Sequence, residues 1–179
     1  MGDFTISGKN VITQSGVGEP ALASNVTFPA GHILQVQSTT LTTGYSATNS
    51  SWTDITGLSV AITPKFASSK VFVLVNICIT ASNDHHARIV RDSTAIAVGT
   101  GQAGSQVPNT FGYIYNAGGA FVETRSMNFL DSPATTSATT YKVQAGGSSS
   151  VFVNMSSTDT DAANFGRQVS TITVMEVAQ

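Results

Sequence analysis

One segment limits what this chain can fold into more than any other. In Lys70–Thr80, Val71, Val73, Val75, Ile77 and Ile79 fall on one face of an extended chain, and Phe72, Leu74 and Cys78 fall on the other. Side chains alternate across a strand, so this period of two, carried largely by β-branched residues, excludes a helix. At about 3.3 Å per residue the apolar stretch spans roughly 30 Å, the height of a small sandwich. An element that is apolar on both faces lies in the middle of a sandwich or against another subunit. The run is broken at Asn76 and is too short to cross a bilayer as a helix.

Shorter strand signals surround it. Ile33–Thr42 alternates in part, and Ser51–Thr56 carries the only tryptophan, Trp52. Gly57 marks a bend or bulge, after which Leu58, Val60 and Ile62 alternate with polar or small residues up to Pro64. Ala87–Arg91, Thr94–Val98, Phe111–Tyr115, Phe121–Leu130, Tyr141–Ala145, Val151–Met155 and Val169–Val177 read as further strands, and Asp92-Ser93 as a turn. Ala81–His86, Gly99–Asn109 and Asp131–Thr140 read as loops. Strands at this spacing, with no helical pattern, predict an all-β fold: an antiparallel β-sandwich or jelly-roll over residues 33–179. Residues 1–32 show no lasting period and end in the turn Phe28-Pro29-Ala30-Gly31. They predict a short extended N-terminal arm with one or two short strands.

Composition narrows the function. Only 10% of residues are charged, against about 25% in ordinary globular chains. About a quarter of the chain is Ser or Thr instead. The net charge is −2 with eight Lys plus Arg, few cations for a phosphate-tracking surface, so no nucleic-acid partner is expected. A monomer of 18.5 kDa should expose about 8,000 Å², or roughly one charge per 450 Å². With a mean hydropathy of +0.12, such a surface points to burial of part of it in an assembly. A single cysteine excludes an intrachain disulfide framework, and no basic start precedes an apolar run as in a signal peptide.

No motif brings chemistry. Gly99–Gly104 matches G-x-G-x-x-G and follows a strand signal, but the next residues are Ser105-Gln106-Val107-Pro108 and not a helix, so no pyrophosphate cradle forms. In Asp84-His85-His86 the adjacent histidines point to opposite faces and do not converge on a metal. Asp159 and Asp161 supply too few oxygens for calcium. Cys78 reads as inert core, and Arg88, Arg91, Arg125 and Arg167 read as ion-pair partners. Phe111, Tyr113 and Tyr115 share one face of a strand and could stack sugars or pack an interface, together with Phe121. Three Asn-x-Ser/Thr sequons, at Asn25, Asn49 and Asn154, carry no weight without a secretory signal.

Several strings have a familiar look: WTDITGLSVAITP, SSKVFVLVNICITAS, RIVRDSTAIAVG, FLDSPATTSATTYKVQ and STITVMEVA. Over roughly Ile33–Ala178 the chain resembles a family of tailed-bacteriophage virion proteins, common in phages of cyanobacteria. The resemblance implies a trimerising jelly-roll, of the kind found in capsid decoration or cement proteins and in tail-fibre heads. It implies no catalytic residue, cofactor or metal, and no membrane. Only the arm precedes the head, with no heptads or long repeat, which suits cement better than a fibre. The expectation is therefore a non-enzymatic virion protein, made in the host cytoplasm. Its partners would be its own copies, as a homotrimer, and the phage major capsid protein or another virion protein. Phe4, Ile6, Val11, Ile12, Val26 and Phe28 are the candidate arm anchors. Phe72, Leu74, Phe111, Tyr113 and Tyr115 are the candidate subunit-interface residues. In the alternative, a tail-fibre or receptor-binding head, the loops Ala81–His86, Gly99–Asn109 and Asp131–Thr140 contact the host surface.

Overall fold

The computed structural model describes residues 3–13, 26–48, 50–115, 121–163 and 165–179, with the backbone alone at residues 21–22. All its regular structure is strand. In chain order these are β1 (Phe4–Ile6), β2 (Lys9–Thr13), β3 (Ala21–Leu22), β4 (Ile33–Leu41), β5 (Tyr45–Thr48), β6 (Thr53–Ile62) and β7 (Lys70–Ala81). There follow β8 (His85–Arg91), β9 (Thr94–Ile96), β10 (Tyr113–Ile114), β11 (Glu123–Asp131), β12 (Thr139–Gly147), β13 (Ser150–Val153) and β14 (Ser170–Val177).

Two antiparallel sheets face each other. One runs β10-β8-β12-β6, with β9 also on β8. The other runs β4-β14-β7-β13-β5, with β11 on the remaining edge of β7. The orders β4-β14-β7-β11 and β6-β12-β8-β9/β10 are those of two interleaved Greek keys, a jelly-roll. The predicted fold class is therefore the observed one.

The core lies between the sheets. Val71, Val73, Val75, Ile77 and Ile79 of β7 are buried, and Leu58, Val60, Ile62, Ile89, Tyr141 and Val143 are buried in the facing sheet. Each such side chain contributes about 1.5–3 kcal/mol on burial. Glu176 is also buried, without a cation. Its Oε1 accepts the Lys65 and Phe66 amides at 2.7 and 3.3 Å, and its Oε2 accepts Gln35 Nε2 at 2.7 Å. Three fixed donors replace the water that the carboxylate loses.

Some boundaries differ from the sequence reading. Ser51–Thr56 and Leu58–Ile62 form one strand, β6, because Gly57 sits at φ +85° in a wide bulge. Lys142 faces Ser59 and Gln144 faces Asp54, so residues 55–58 all lie opposite Val143. The Tyr45–Thr48 strand went unpredicted, its four residues being too few to show a period. The loop read as Ala81–His86 shrinks to residues 82–84, since β7 extends to Ala81 and β8 starts at His85. The expected arm holds three short strands, β1-β2-β3, paired only with one another. Residues 26–32 then bond to the end of the chain: Gly31 N donates to Ala178 O at 2.8 Å, and Ala178 N to His32 O at 2.9 Å.

Candidate functional site

Two surfaces stand out, and the strands determine both. The first is the outer face of the β7 sheet. Antiparallel partners point to the same face, so register alone places Leu130, Phe72, Met175 and Val36 in one row across β11, β7, β14 and β4. The next row is Asn128, Leu74, Thr173 and Ser38, and the next Ser126, Asn76, Thr171 and Thr40. Leu130 and Val36 are each 50% exposed, while Phe72, Leu74 and Met175 are half-buried. A shallow groove of about 490 Å³ runs beside that apolar row, over Leu74, Met175, Asn76, Asn128, Thr171 and Thr173. These three rows carry no charge. Two pairs of their polar groups bond to each other: Ser38 with Thr173 hydroxyl at 2.7 Å, and Ser126 Oγ donating to Asn76 Oδ1 at 3.0 Å. A neutral face loses less on desolvation than a charged one. Phe72 and Leu74, expected at a subunit contact, lie on this outer face, and Cys78 Sγ lies 3.4 Å from Thr124 Oγ1 beside it.

The second surface is the end of the sandwich where β7 gives way to β8. It exists because Gly146-Gly147 ends β12. A Cβ on Gly147 would lie 2.2 Å from Asp84 O, and one on Gly146 would lie 3.1 Å from the Trp52 ring. At 147 only glycine lets the Asp84–His85 backbone approach this closely, and at 146 a side chain would press on the indole. Arg88 lies over Trp52, 4.1 Å from the ring centroid, and its guanidinium donates to Gln144 Oε1 at 3.0 and 2.8 Å. His85 points inward and is fully buried, whereas His86 points out and meets Tyr113 edge-on at 5.7 Å. The two histidines thus diverge, as strand geometry requires. Asn109 Nδ2 lies 3.3 Å from His86 Nδ1, and the Tyr113 hydroxyl donates to Asp84 Oδ1. Recesses of about 440 and 290 Å³ adjoin here, sharing His86 and Val107.

Phe111, Tyr113 and Tyr115 do not share a face. Gly112 adopts φ +78°, a region closed to most side chains, and resets the alternation. Phe111 and Ile114 enter the core, while Tyr113 and Tyr115 stay 50% and 49% exposed and stack at 6.1 Å. The segment predicted as a strand over Phe111–Tyr115 is reduced to Tyr113–Ile114 for the same reason. Of the three candidate contact loops, those around residues 82–84 and 99–109 converge here. The Asp131–Thr140 loop sits at the opposite end, beside the start of β7.

The remaining sequence candidates are engaged elsewhere. Arg91 pairs with Asp131 at 2.7 Å, Arg125 with Glu123 at 2.5 Å, and Arg167 Nη2 with Asp159 at 2.9 Å. Arg88 is the exception, held by an amide and a ring. Asp159 therefore already has its counter-charge, and no group of three metal-ligating side chains occurs among the described residues. The Gly99–Gly104 stretch is a loop lining the larger recess. Phe4, Ile6 and Ile12 are exposed on β1 and β2, with Phe4 directly opposite Ile12, and Val11 is half-buried. Val26 and Phe28 line a recess with Phe66 and Ala178, and Phe28 stacks on His32 at 5.2 Å. Asn154 is fully buried, while Asn25 and Asn49 lie outside the described residues.

Burial first, and then the charge on His86, hold the His85 imidazole below its ordinary range, opposed by the Asp84 backbone. His86 is held down by burial as well, against the Asp84 carboxylate. The unfolded chain therefore takes up more protons than the folded one below about pH 6.5. Stability should be complete above that value and fall as the pH drops toward the depressed values. Melting temperatures measured from about pH 7.5 to about pH 5.5 should decline, and His85→Gln should flatten the slope. An unchanged slope in that variant would assign it to other groups.

No protein-family model matches this sequence, and no curated protein matches it. Among solved structures, the crystal structure of the infectious bursal disease virus VP2 subviral particle is similar at 12% sequence identity and a TM-score of 0.36. The match covers 95% of this chain and spans 43% of that one. So distant a similarity decides neither fold nor role here; the jelly-roll rests on the strand order itself.

Proposed function

We propose that this chain is a non-enzymatic structural protein of a bacteriophage virion, a homotrimer acting as capsid cement or decoration. The observation that carries the reading is the uncharged row Leu130-Phe72-Met175-Val36 across the outer sheet face. A second copy is its natural cover, because a face without charge meets no like-charge repulsion from its own kind. The virion assignment comes from the sequence resemblance. The N-terminal sheet supplies a second contact: its exposed Phe4, Ile6 and Ile12 would anchor on the major capsid protein or another virion protein. Val11 on β2, and Val26 and Phe28 in the chain that follows the sheet, would support that anchor.

Sedimentation should give three times the 18.5 kDa chain mass. Val36→Asp and Leu130→Asp each place an unpaired charge in the contact. Each should raise the dissociation constant at least about a hundredfold while the far-ultraviolet spectrum stays that of a sheet. A trimer that tolerates both would remove the outer face from the reading, and a monomeric or dimeric parent would remove the trimer. The convergence of two loops on the aromatic end favours a second reading, a tail-fibre or receptor-binding head. Copy number in purified particles separates the two: hundreds for cement, a few tens at most for a fibre head.

A further inference from the structure

We infer that the aromatic end of the sandwich binds a neutral saccharide, with Tyr113 and Tyr115 as the stacking platform and Asp84 and Asn109 as polar contacts. A pyranose ring presents C–H groups on its faces and hydroxyls around its rim. A site for it needs exposed aromatic faces bordered by fixed, planar hydrogen-bonding groups. Tyr113 and Tyr115 each leave half their surface open and stack with an interplanar angle of 23°, so each steadies the other's ring while exposed aromatic surface remains for a sugar. Exposed tyrosines pay little entropy on contact, having only two side-chain torsions.

The polar rim is already positioned. Asp84 accepts from the Tyr113 hydroxyl, which uses one of about four lone-pair sites on the carboxylate and fixes its orientation. The others remain for sugar hydroxyls. Asn109 is held by three bonds: Nδ2 to Val107 O at 2.9 Å, Nδ2 toward His86 Nδ1 at 3.3 Å, and Oδ1 accepting Gly112 N at 2.5 Å. The two adjoining recesses, about 440 and 290 Å³, give room for more than one sugar ring. Charge selects the ligand class. Asp84 disfavours an anionic sugar, and Arg88, which keeps its charge, is turned toward Trp52 and Gln144.

Topology gives the site access. The N-terminal segment joins the sandwich beside Ala178 and the start of β7, whereas the platform lies past the far end of β7, about 35 Å along the strand. A chain anchored by its N-terminal sheet would present this end outward. The inference goes beyond the self-association reading and does not depend on it, since a monomeric variant can be tested equally well.

The test is saturation-transfer difference NMR on the full chain, with maltotriose, cellotriose, mannotriose, galactobiose and triacetylchitotriose as neutral probes and sialyllactose as the anionic one. At least one neutral probe should receive saturation and sialyllactose should not. Tyr113→Ala and Tyr115→Ala should each weaken binding about tenfold or more. Asp84→Asn, an exposed substitution that leaves the fold intact, should weaken it too. Phe66→Ala, at the other end, should change nothing. No transfer from any neutral probe at millimolar concentration would overturn the inference. So would transfer that survives Tyr113→Ala and Tyr115→Ala, or a preference for sialyllactose.

Discussion

Asp131→Ala is expected to lower the unfolding free energy by about 3–5 kcal/mol, read as a drop in the urea midpoint at constant m-value. Asp131 ends β11, in one sheet, and its side chain is 7% exposed. Its partners come from the other sheet. Arg91 Nη1 of β8 donates to both carboxylate oxygens, at 2.8 and 2.7 Å, and the Tyr141 hydroxyl of β12 donates to Oδ2 at 2.7 Å. Tyr141 is fully buried, and its phenol is pushed well above its ordinary range, first by burial and then by the bond to Asp131. Alanine would leave a buried hydroxyl without its acceptor and a guanidinium without its counter-charge. Arg91 is 24% exposed and can recover part of its hydration, which places the loss near the lower end of the range. Asp131→Asn keeps an acceptor for Tyr141 and should cost less, about 1–3 kcal/mol. A loss below about 1 kcal/mol for alanine would show that the bond between the sheets is dispensable.

Asn154→Ala should cost about 3 kcal/mol by the same measurement. Asn154 follows β13 at φ +60° and is completely buried. Its Nδ2 donates to Leu41 O at 2.7 Å and to Thr43 O at 3.2 Å, and its Oδ1 accepts the Ser170 hydroxyl at 2.6 Å. Ser170 Oγ in turn accepts the Cys78 amide at 3.0 Å, and the Asn154 amide donates to Cys78 O at 2.9 Å. One side chain thus satisfies the backbone at the end of β4 and orients the hydroxyl that satisfies β7. Alanine would strand these groups and also strain the left-handed backbone. Asn154→Gly removes the bonds but relieves the strain, so it should be about 1 kcal/mol less damaging than alanine. Equal losses would show that the conformation contributes nothing.

The two networks mark where sequence reading stopped. Asn154 reads as a sequon, and Asp131 as the first residue of a Ser/Thr loop; in the fold each closes a buried polar network. Their partners lie far along the chain, Asp131 from Arg91 by 40 residues and Asn154 from Leu41 by 113. No local period reports a pairing at such separations. Glu176 is a similar case, a charge at a position of β14 whose alternation points inward.

The same limit explains the site. Trp52, Asp84, His86, Asn109, Tyr113 and Tyr115 come from separate stretches, and Gly146-Gly147, which permits their approach, looks like an ordinary turn. The aromatic face read from Phe111, Tyr113 and Tyr115 was wrong because Gly112 reverses the local backbone, which the spacing of three aromatics cannot reveal. The uncharged row Leu130-Phe72-Met175-Val36 was half visible, since Phe72 and Leu74 stood out on the second face of Lys70–Thr80. Its other members became neighbours only through register.

The sequence by itself determined the class of fold. Period-two alternation and β-branched residues act within one strand, and a strand apolar on one face must bury that face against another sheet. It also set the expectation against a nucleic-acid partner, because eight Lys plus Arg are few for a phosphate-tracking surface. Tertiary structure alone decided which polar groups meet, which face of β7 remains uncovered, and where the aromatic platform forms. Those outcomes depend on strand order and register, which are set by the packing of the whole core and by long-range pairing.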